Sequence, residues 1–191
     1  MTVRRPLRNW LPVEIKQHYD VGENGIPIKL TTASIIRALE PLEQIIYVFD
    51  TNELRIKGLH GCTAGPVVQD AYEPDKYWAV SLALHTPLDT GDITQLIYQT
   101  LYNYTSPPPN ELVQNGAARG VENVHLTIQF HANKLPSSVW WELRDHEGIV
   151  CKSGLLEVIS LDHEYPQQGS YATHKARMLL PHHLLMVRWE W

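Results

Sequence analysis

A histidine and a threonine two residues apart form the part of the sequence best suited to chemistry. His125 and Thr127 lie in the segment 122–130, where apolar and polar residues alternate as they do along a strand. Side chains two residues apart on a strand project to the same face, about 7 Å from each other. An imidazole and a hydroxyl placed in this way could hold one phosphate, with the histidine acting as acid or base.

The segment resembles the first motif of the two-histidine phosphoesterases, in which a His-x-Thr or His-x-Ser pair on each of two strands holds the phosphoester. The resemblance covers residues 80–130 and includes an apolar strand at 80–84 and a helix at 92–104 before the motif. The second pair is missing, because neither His85 nor His183 is followed two residues later by threonine or serine. The resemblance implies a phosphoesterase of small or cyclic phosphodiesters, with His85 or His183 as the second histidine. The alternative is an inert sheet, in which histidine beside a cross-strand threonine is common.

The sequence offers no metal-binding or cofactor-binding pattern. It contains neither a phosphate-binding glycine loop nor a dinucleotide fingerprint. Its histidine clusters are His60 with Cys62, His163 with His174, and His182 with His183. None has the spacing of a known zinc site, and adjacent residues on a strand point to opposite faces. We therefore expect no metal and no cofactor.

The aromatic residues point instead to contact surfaces. The chain has six tryptophans and nine tyrosines but two phenylalanines, and the first two types suit half-wet surfaces. Trp140 and Trp141 are adjacent on a predicted strand, so one should face the core and the other outward. The outward ring is a candidate interface anchor, unless another layer of the same chain covers it. Pro107, Pro108 and Pro109 form an exposed loop that is a further candidate contact.

The arrangement of these features resembles that of the matrix proteins of negative-strand RNA viruses. The shared features are a basic, proline-containing amino terminus, a strand and helix over a sheet, and the proline loop at 106–112. The resemblance implies a viral structural subunit, located in the cytoplasm or within a virion.

Composition narrows the range of partners. The formal net charge of −5 and the pI near 6.0 disfavour binding to nucleic acid or to anionic membranes. The exception is a small basic arm of Arg4, Arg5 and Arg8, for which a solvated tail is the alternative. The first residues lack the apolar segment of a signal peptide, so we do not expect secretion by that route. Two cysteines make no disulfide framework, which favours a reducing compartment such as the cytoplasm.

The periodicity of apolar residues predicts an α+β fold in a single domain over 1–191, with a weak subdomain boundary in the loop at 58–76. The sheet is predicted to be predominantly antiparallel, with a hairpin joining strands at 45–49 and 54–59. Two helices are predicted, at 32–39 and at 92–104. The last third is predicted to be all-β, either sandwich-like or a meander.

Two functions remain open from the sequence. The first is a non-enzymatic protein-interaction or assembly subunit that contacts a protein partner or a second copy of itself. Its contacts would involve Trp140 or Trp141, the proline loop and a free sheet edge. The alternative is the phosphoesterase, in which His125 exchanges protons and Thr127 holds the phosphate.

Overall fold

The structure of the chain is a computed structural model that describes residues 8–104, 108–116, 119–160 and 168–191. Within these ranges it consists of strands joined by turns, with no helix. The strands are β1 Trp10–Val21, β2 Pro27–Ala38, β3 Leu42–Phe49, β4 Leu54–His60, β5 Cys62–Ala64, β6 Val68–Gln69, β7 Trp78–Leu88, β8 Ile93–Tyr102, β9 Glu111–Asn115, β10 Val121–His131, β11 Ser138–Arg144, β12 Val150–Leu155, β13 Ile159–Ser160, β14 Gln168–Leu179 and β15 Leu184–Glu190.

Three sheets make up the described part of the chain. The largest is a seven-stranded sheet in the order β13-β14-β10-β1-β2-β8-β4. A four-stranded sheet has the order β12-β11-β15-β9, and the third sheet has the path β3-β7-β5 with β6 also paired to β7. The pairing of β1 with β10 is parallel and the other pairings are antiparallel, so the predicted antiparallel character is confirmed.

One face of the seven-stranded sheet is buried, and the two smaller sheets supply the residues that cover it. Around β10 and β14, fully buried Leu126, Ile128 and Phe130 share a core with Val187 and Trp189 of β15. A second core at the other end of the sheet combines residues of β2 and β8 with residues of β3, β5 and β7. The opposite face of the large sheet carries alternating, partly exposed side chains and is called the outer face below.

The prediction of an α+β fold with two helices is wrong, because both predicted helices are strands of the large sheet. The segment predicted as a helix at 32–39 lies largely in β2, whose β-branched residues suit a pleated surface. The segment at 92–104 contains β8, in which Leu96, Tyr98 and Thr100 are buried at every second position. The described residues accordingly include no helix that could cross a membrane.

The hairpin predicted between 45–49 and 54–59 is also wrong. Both segments are strands, but β3 pairs with β7 and β4 pairs with β8. The predicted loop at 58–76 contains the end of β4 and the short strands β5 and β6, both of which pair with β7. In the last third, the described residues are all strand and turn.

Candidate functional site

The predicted pair of His125 and Thr127 lies on the outer face of the seven-stranded sheet. Nε2 of His125 is 2.7 Å from Oγ1 of Thr173 on the neighbouring strand β14. The Thr173 hydroxyl donates to the carbonyl of Leu126 at 3.2 Å, and a hydroxyl has one hydrogen, so His125 is the donor through Nε2. Thr127 Oγ1 lies 3.4 Å from the same hydroxyl. The two predicted residues therefore share Thr173 as a partner.

The second histidine named by the sequence does not join this pair. His85 lies on β7 in a different sheet, where its Nε2 is 3.1 Å from Thr63 Oγ1. His183 lies in the turn between β14 and β15, and its Nδ1 hydrogen bonds the carbonyl of Pro181 at 3.0 Å. The histidine that the register places beside the pair is His18, opposite Thr127 on β1. Its Nε2 is 3.0 Å from a carboxylate oxygen of Asp20.

Lysines are the nearest register neighbours of His125. The pairing of β1, β10 and β14 places Lys16, His125 and Lys175 in one row across three strands. Partial burial, followed by the charges of Lys175 and Lys16, lowers the pKa of His125 below its ordinary value. These causes favour the neutral ring, which lies beside two lysines and near Glu14.

The two adjacent tryptophans of β11 point to opposite sides of their sheet. Trp141 packs against the large core and stacks on His174, with ring centroids 4.2 Å apart and planes 18° apart. Trp140 lies on the other face, where its indole N–H donates to Glu142 Oε1 at 3.1 Å. The guanidinium of Arg188 lies 5.8 Å from the Trp140 ring. Trp140 is therefore the outward ring, and it belongs to a charged cluster.

That cluster is held together by ion pairs. Arg144 binds a carboxylate oxygen of Glu142 at 2.6 Å, and Arg188 lies 3.8 Å from the other oxygen. The hydrogen bond from Arg144 is the main cause that lowers the pKa of Glu142. The indole N–H of Trp140 is already bonded to Glu142 and its ring already contacts Arg188. Trp140 is therefore a weak candidate for an interface anchor.

Other predicted contact residues fall partly outside the described ranges. Pro107, Arg4 and Arg5 lie outside the residues that the structure describes, as does His163 of the histidine cluster considered for metal binding. Pro109 is exposed and Pro108 is half-buried, at the start of the segment that leads into β9. Arg8 lies over the ring of Trp10, with 4.8 Å between the guanidinium carbon and the ring centroid. No group of three metal-ligating side chains occurs within the described residues.

The free edge of β12 is a contact surface that the sequence did not single out. Among the residues that the structure describes, β12 is the outermost strand of its four-stranded sheet and pairs with β11 alone. Five of its six residues are exposed, and Gly154, which lies against the Trp141 ring, is half-buried. Leu155 is 81% exposed, and Ile149 and Val150 are 58% and 44% exposed. Because 149–158 has the composition of an ordinary half-buried strand, nothing in the sequence marks this exposure.

The hydrogen-bond pattern shows which backbone groups point toward this edge. The N–H of Leu156 donates to the carbonyl of Val139 at 2.8 Å, which makes that opposed pair a hydrogen-bonded one. Hydrogen-bonded and non-bonded pairs alternate along an antiparallel ladder. Leu155 and Ser153, which face Trp140 and Glu142, are therefore in non-bonded pairs. Their N–H and C=O groups point away from β11, toward the free edge.

Comparison with known proteins identifies the fold but no family. No protein-family model matches the sequence, and no curated protein matches it. A candidate protease from Parabacteroides distasonis has a similar structure, with a TM-score of 0.55, 10% identity, and coverage of 94% of this chain and 40% of that one. An M1 zinc metallopeptidase from Deinococcus radiodurans has a TM-score of 0.52, 16% identity, and coverage of 95% and 43%. The chain thus spans about two fifths of the length of these proteins.

At such low identities the similarity concerns the fold alone. The class of protein is therefore defined by that fold, which is an all-β domain with three sheets in its described part. The resemblances to two-histidine phosphoesterases and to viral matrix proteins stay predictions. The helix at 92–104 that belonged to the first of them is strand β8.

Proposed function

We propose that this chain is a non-catalytic assembly subunit that pairs with a second copy of itself through the free edge of β12. The observation that carries the proposal is that five of the six residues of this strand are exposed, together with outward backbone groups at Ser153 and Leu155. An uncovered edge that carries apolar side chains is a template for pairing with another strand. Such edges are normally shortened, charged or covered in proteins that stay monomeric.

Burial of the exposed apolar side chains would supply part of the free energy of association. Leu155 is 81% exposed, and full burial of a leucine contributes about 1.5–3 kcal/mol. Val150 and Ile149 add smaller amounts because they are already partly covered. One edge-to-edge contact is smaller than a standard interface, so we expect weak association that depends on concentration.

The sequence of β12 is compatible with pairing between identical strands. In an antiparallel pair centred on Ser153, each Ser153 faces its counterpart and each Lys152 faces Gly154 of the other copy. The charged side chains therefore avoid direct opposition, which would destabilise the pair. The contact is two-fold symmetric, as in most homodimers, and it would extend the four-stranded sheet across both copies.

The structural comparisons bear on the proposal only through the fold, which makes up about two fifths of longer proteins. The comparisons concern the fold, and the choice of a second copy as the partner depends on the β12 edge.

Sedimentation velocity or light scattering over a range of concentrations tests the proposal, using Ser153→Pro and Ser153→Ala. Proline removes the N–H that points to the free edge, while the hydrogen bonds to β11 belong to other residues. In the pair centred on Ser153 each copy donates one such hydrogen bond, so the variant loses two of them and association should weaken at least about tenfold. The alanine variant keeps the N–H and should associate like the wild type.

Unfolding by urea provides the folding control, since both variants should keep nearly the wild-type midpoint if β12 is a free edge. A wild-type chain that stays monomeric at the highest concentration would overturn the proposal. Association that Ser153→Pro leaves unchanged in a folded protein would also overturn it, because the contact would then lie elsewhere.

A further inference from the structure

The outer face of the seven-stranded sheet is basic although the whole chain is acidic. The sequence contains 16 lysines and arginines and 21 aspartates and glutamates. Basic side chains lie at outward positions along the paired strands of this sheet. They are Lys16, Lys29, Arg37, Arg55, Lys57, Lys175 and Arg177. The carboxylates in the same rows are Glu14 and Asp20. Charge is therefore segregated, and this face is suited to an anion.

A depression of about 290 Å³ lies at one end of this face, and it is called the basic pocket below. It is lined by Glu14, Lys16, Asn123, Val124, His125, Lys175, Ala176 and Arg177. Two successive rows build it. One row is Lys16, His125 and Lys175, and the next contains Glu14, Asn123 and Arg177.

The positive charge of the basic pocket is only partly neutralised. Glu14 forms an ion pair with Lys16, with 2.9 Å between the ammonium and a carboxylate oxygen. Neither Lys175 nor Arg177 has an ion-pair partner among the described residues. The depressed pKa of His125, to which both lysines contribute, is consistent with this excess of positive charge.

The donors around the basic pocket differ in geometry. Lysine ammonium groups act as point charges, an arginine guanidinium can bind two oxygens at once, and an asparagine amide adds a neutral donor. They come from three neighbouring strands, about 4.8 Å apart, so they approach the pocket from several directions. A tetrahedral oxyanion has oxygens that point in several directions, whereas a carboxylate has two oxygens in one plane.

We propose that the basic pocket binds a tetrahedral oxyanion, either phosphate or sulfate, held by Lys16, Lys175 and Arg177 with Asn123 as a further donor. The anion competes with Glu14 for Lys16. This site lies on a different sheet from β12, and the inference does not depend on the proposed self-association.

Titration with inorganic phosphate and with sulfate, at ionic strength fixed with sodium chloride, tests the proposal. Backbone amide shifts in ¹H–¹⁵N spectra should saturate around residues 14–16, 123–125 and 175–177. The variant Lys175→Ala/Arg177→Ala should weaken binding at least about tenfold, because it removes two of three cations at the site. Far-UV circular dichroism checks that this variant keeps the fold.

Two further variants make the test specific. Glu14→Gln removes a repulsive charge near the anion and should tighten binding about threefold. Arg55→Ala/Lys57→Ala removes the same charge from β4, about 19 Å from β10 in the same sheet. At that separation screening is strong, so this control should change affinity less than about twofold.

A comparison of inorganic phosphate with glycerol phosphate separates two sources of the anion. Tighter binding of the monoester indicates an oxyanion carried on a larger ligand, and tighter binding of the inorganic ion indicates a free anion. Both results support the proposal. Shifts that do not saturate, or equal losses in the two double variants, would overturn it, since both would indicate a general charge effect.

Discussion

Replacement of Trp141 by alanine should destabilise the fold more than the same replacement of Trp140, the neighbouring tryptophan of β11. Trp141 joins the four-stranded sheet to the seven-stranded sheet, because its ring stacks on His174 of β14 at 4.2 Å. Gly154 leaves room for the ring, since a Cβ at that position would lie 2.8 Å from Trp141 Nε1. Removal of the ring therefore opens space at the junction of two sheets.

The expected size of the effect follows from burial and stacking. Truncation of a fully buried tryptophan to alanine costs about 3–5 kcal/mol. Trp141 is partly buried, so about half of that loss applies, and the stacked ring adds about 0.5–1.5 kcal/mol. We expect a total loss of about 2–4 kcal/mol in the free energy of unfolding. In a chain of this length that corresponds to a fall in Tm of about 4–16 °C.

Urea unfolding followed by far-UV circular dichroism measures this loss without relying on tryptophan fluorescence. Trp140→Ala is the matched control, because Trp140 lies on the outer side of the same strand and contacts Glu142 and Arg188. Its removal should cost less than about 1 kcal/mol. Equal losses for the two variants, or a larger loss for Trp140, would refute the assignment of faces.

Two further predictions concern stability. Burial lowers the pKa of His174, so the folded state favours the neutral ring. The contribution of the neutral ring to the free energy of unfolding is present above the ordinary pKa near 6.5, and it declines as the pH falls through the pKa of the folded state. His174→Gln should therefore reduce the fall in the urea midpoint between pH 8 and pH 5.5, and an unchanged slope would contradict this cause. At Gly58 a Cβ would lie 2.1 Å from the carbonyl oxygen of Cys62, so Gly58→Ala should destabilise the bend between β4 and β5. Gly91→Ala is the control, because an added Cβ there has no atom within 4 Å and only the φ of +93° costs about 1 kcal/mol. Similar unfolding midpoints for the two variants would refute the clash at Gly58.

Regular alternation of apolar and polar residues made β10 predictable as a strand, and its loss in β8 led to a predicted helix. In β10 the alternation is regular, and the predicted strand is correct. In β8 the buried positions include Thr100, whereas Ile93 and Leu101 face outward and are exposed. This mixture gave the apolar residues a helical spacing by coincidence. A strand with polar buried positions and apolar exposed ones loses the two-residue period that identifies it.

Pairing over long distances in the chain could not be predicted from local patterns. Adjacent strands joined by turn-forming residues predict a hairpin, yet β3 and β4 each pair with a strand more distant in the sequence. The basic pocket has the same origin, since Lys16 and His125 are 109 residues apart in the chain and His125 and Lys175 are 50 apart. No local motif links them before the sheet is assembled.

The register of the parallel pair β1–β10 decides what chemistry His125 is suited to. A shift by one residue would turn the charged side chains of β1 toward the core, so the buried positions fix this register strongly. It places Lys16 beside His125 and His18 beside Thr127, where His18 contacts Asp20. Partial burial and the charges of Lys175 and Lys16 lower the pKa of His125, which therefore lies among cations rather than beside a second histidine. Cations arranged in this way are suited to holding an anion.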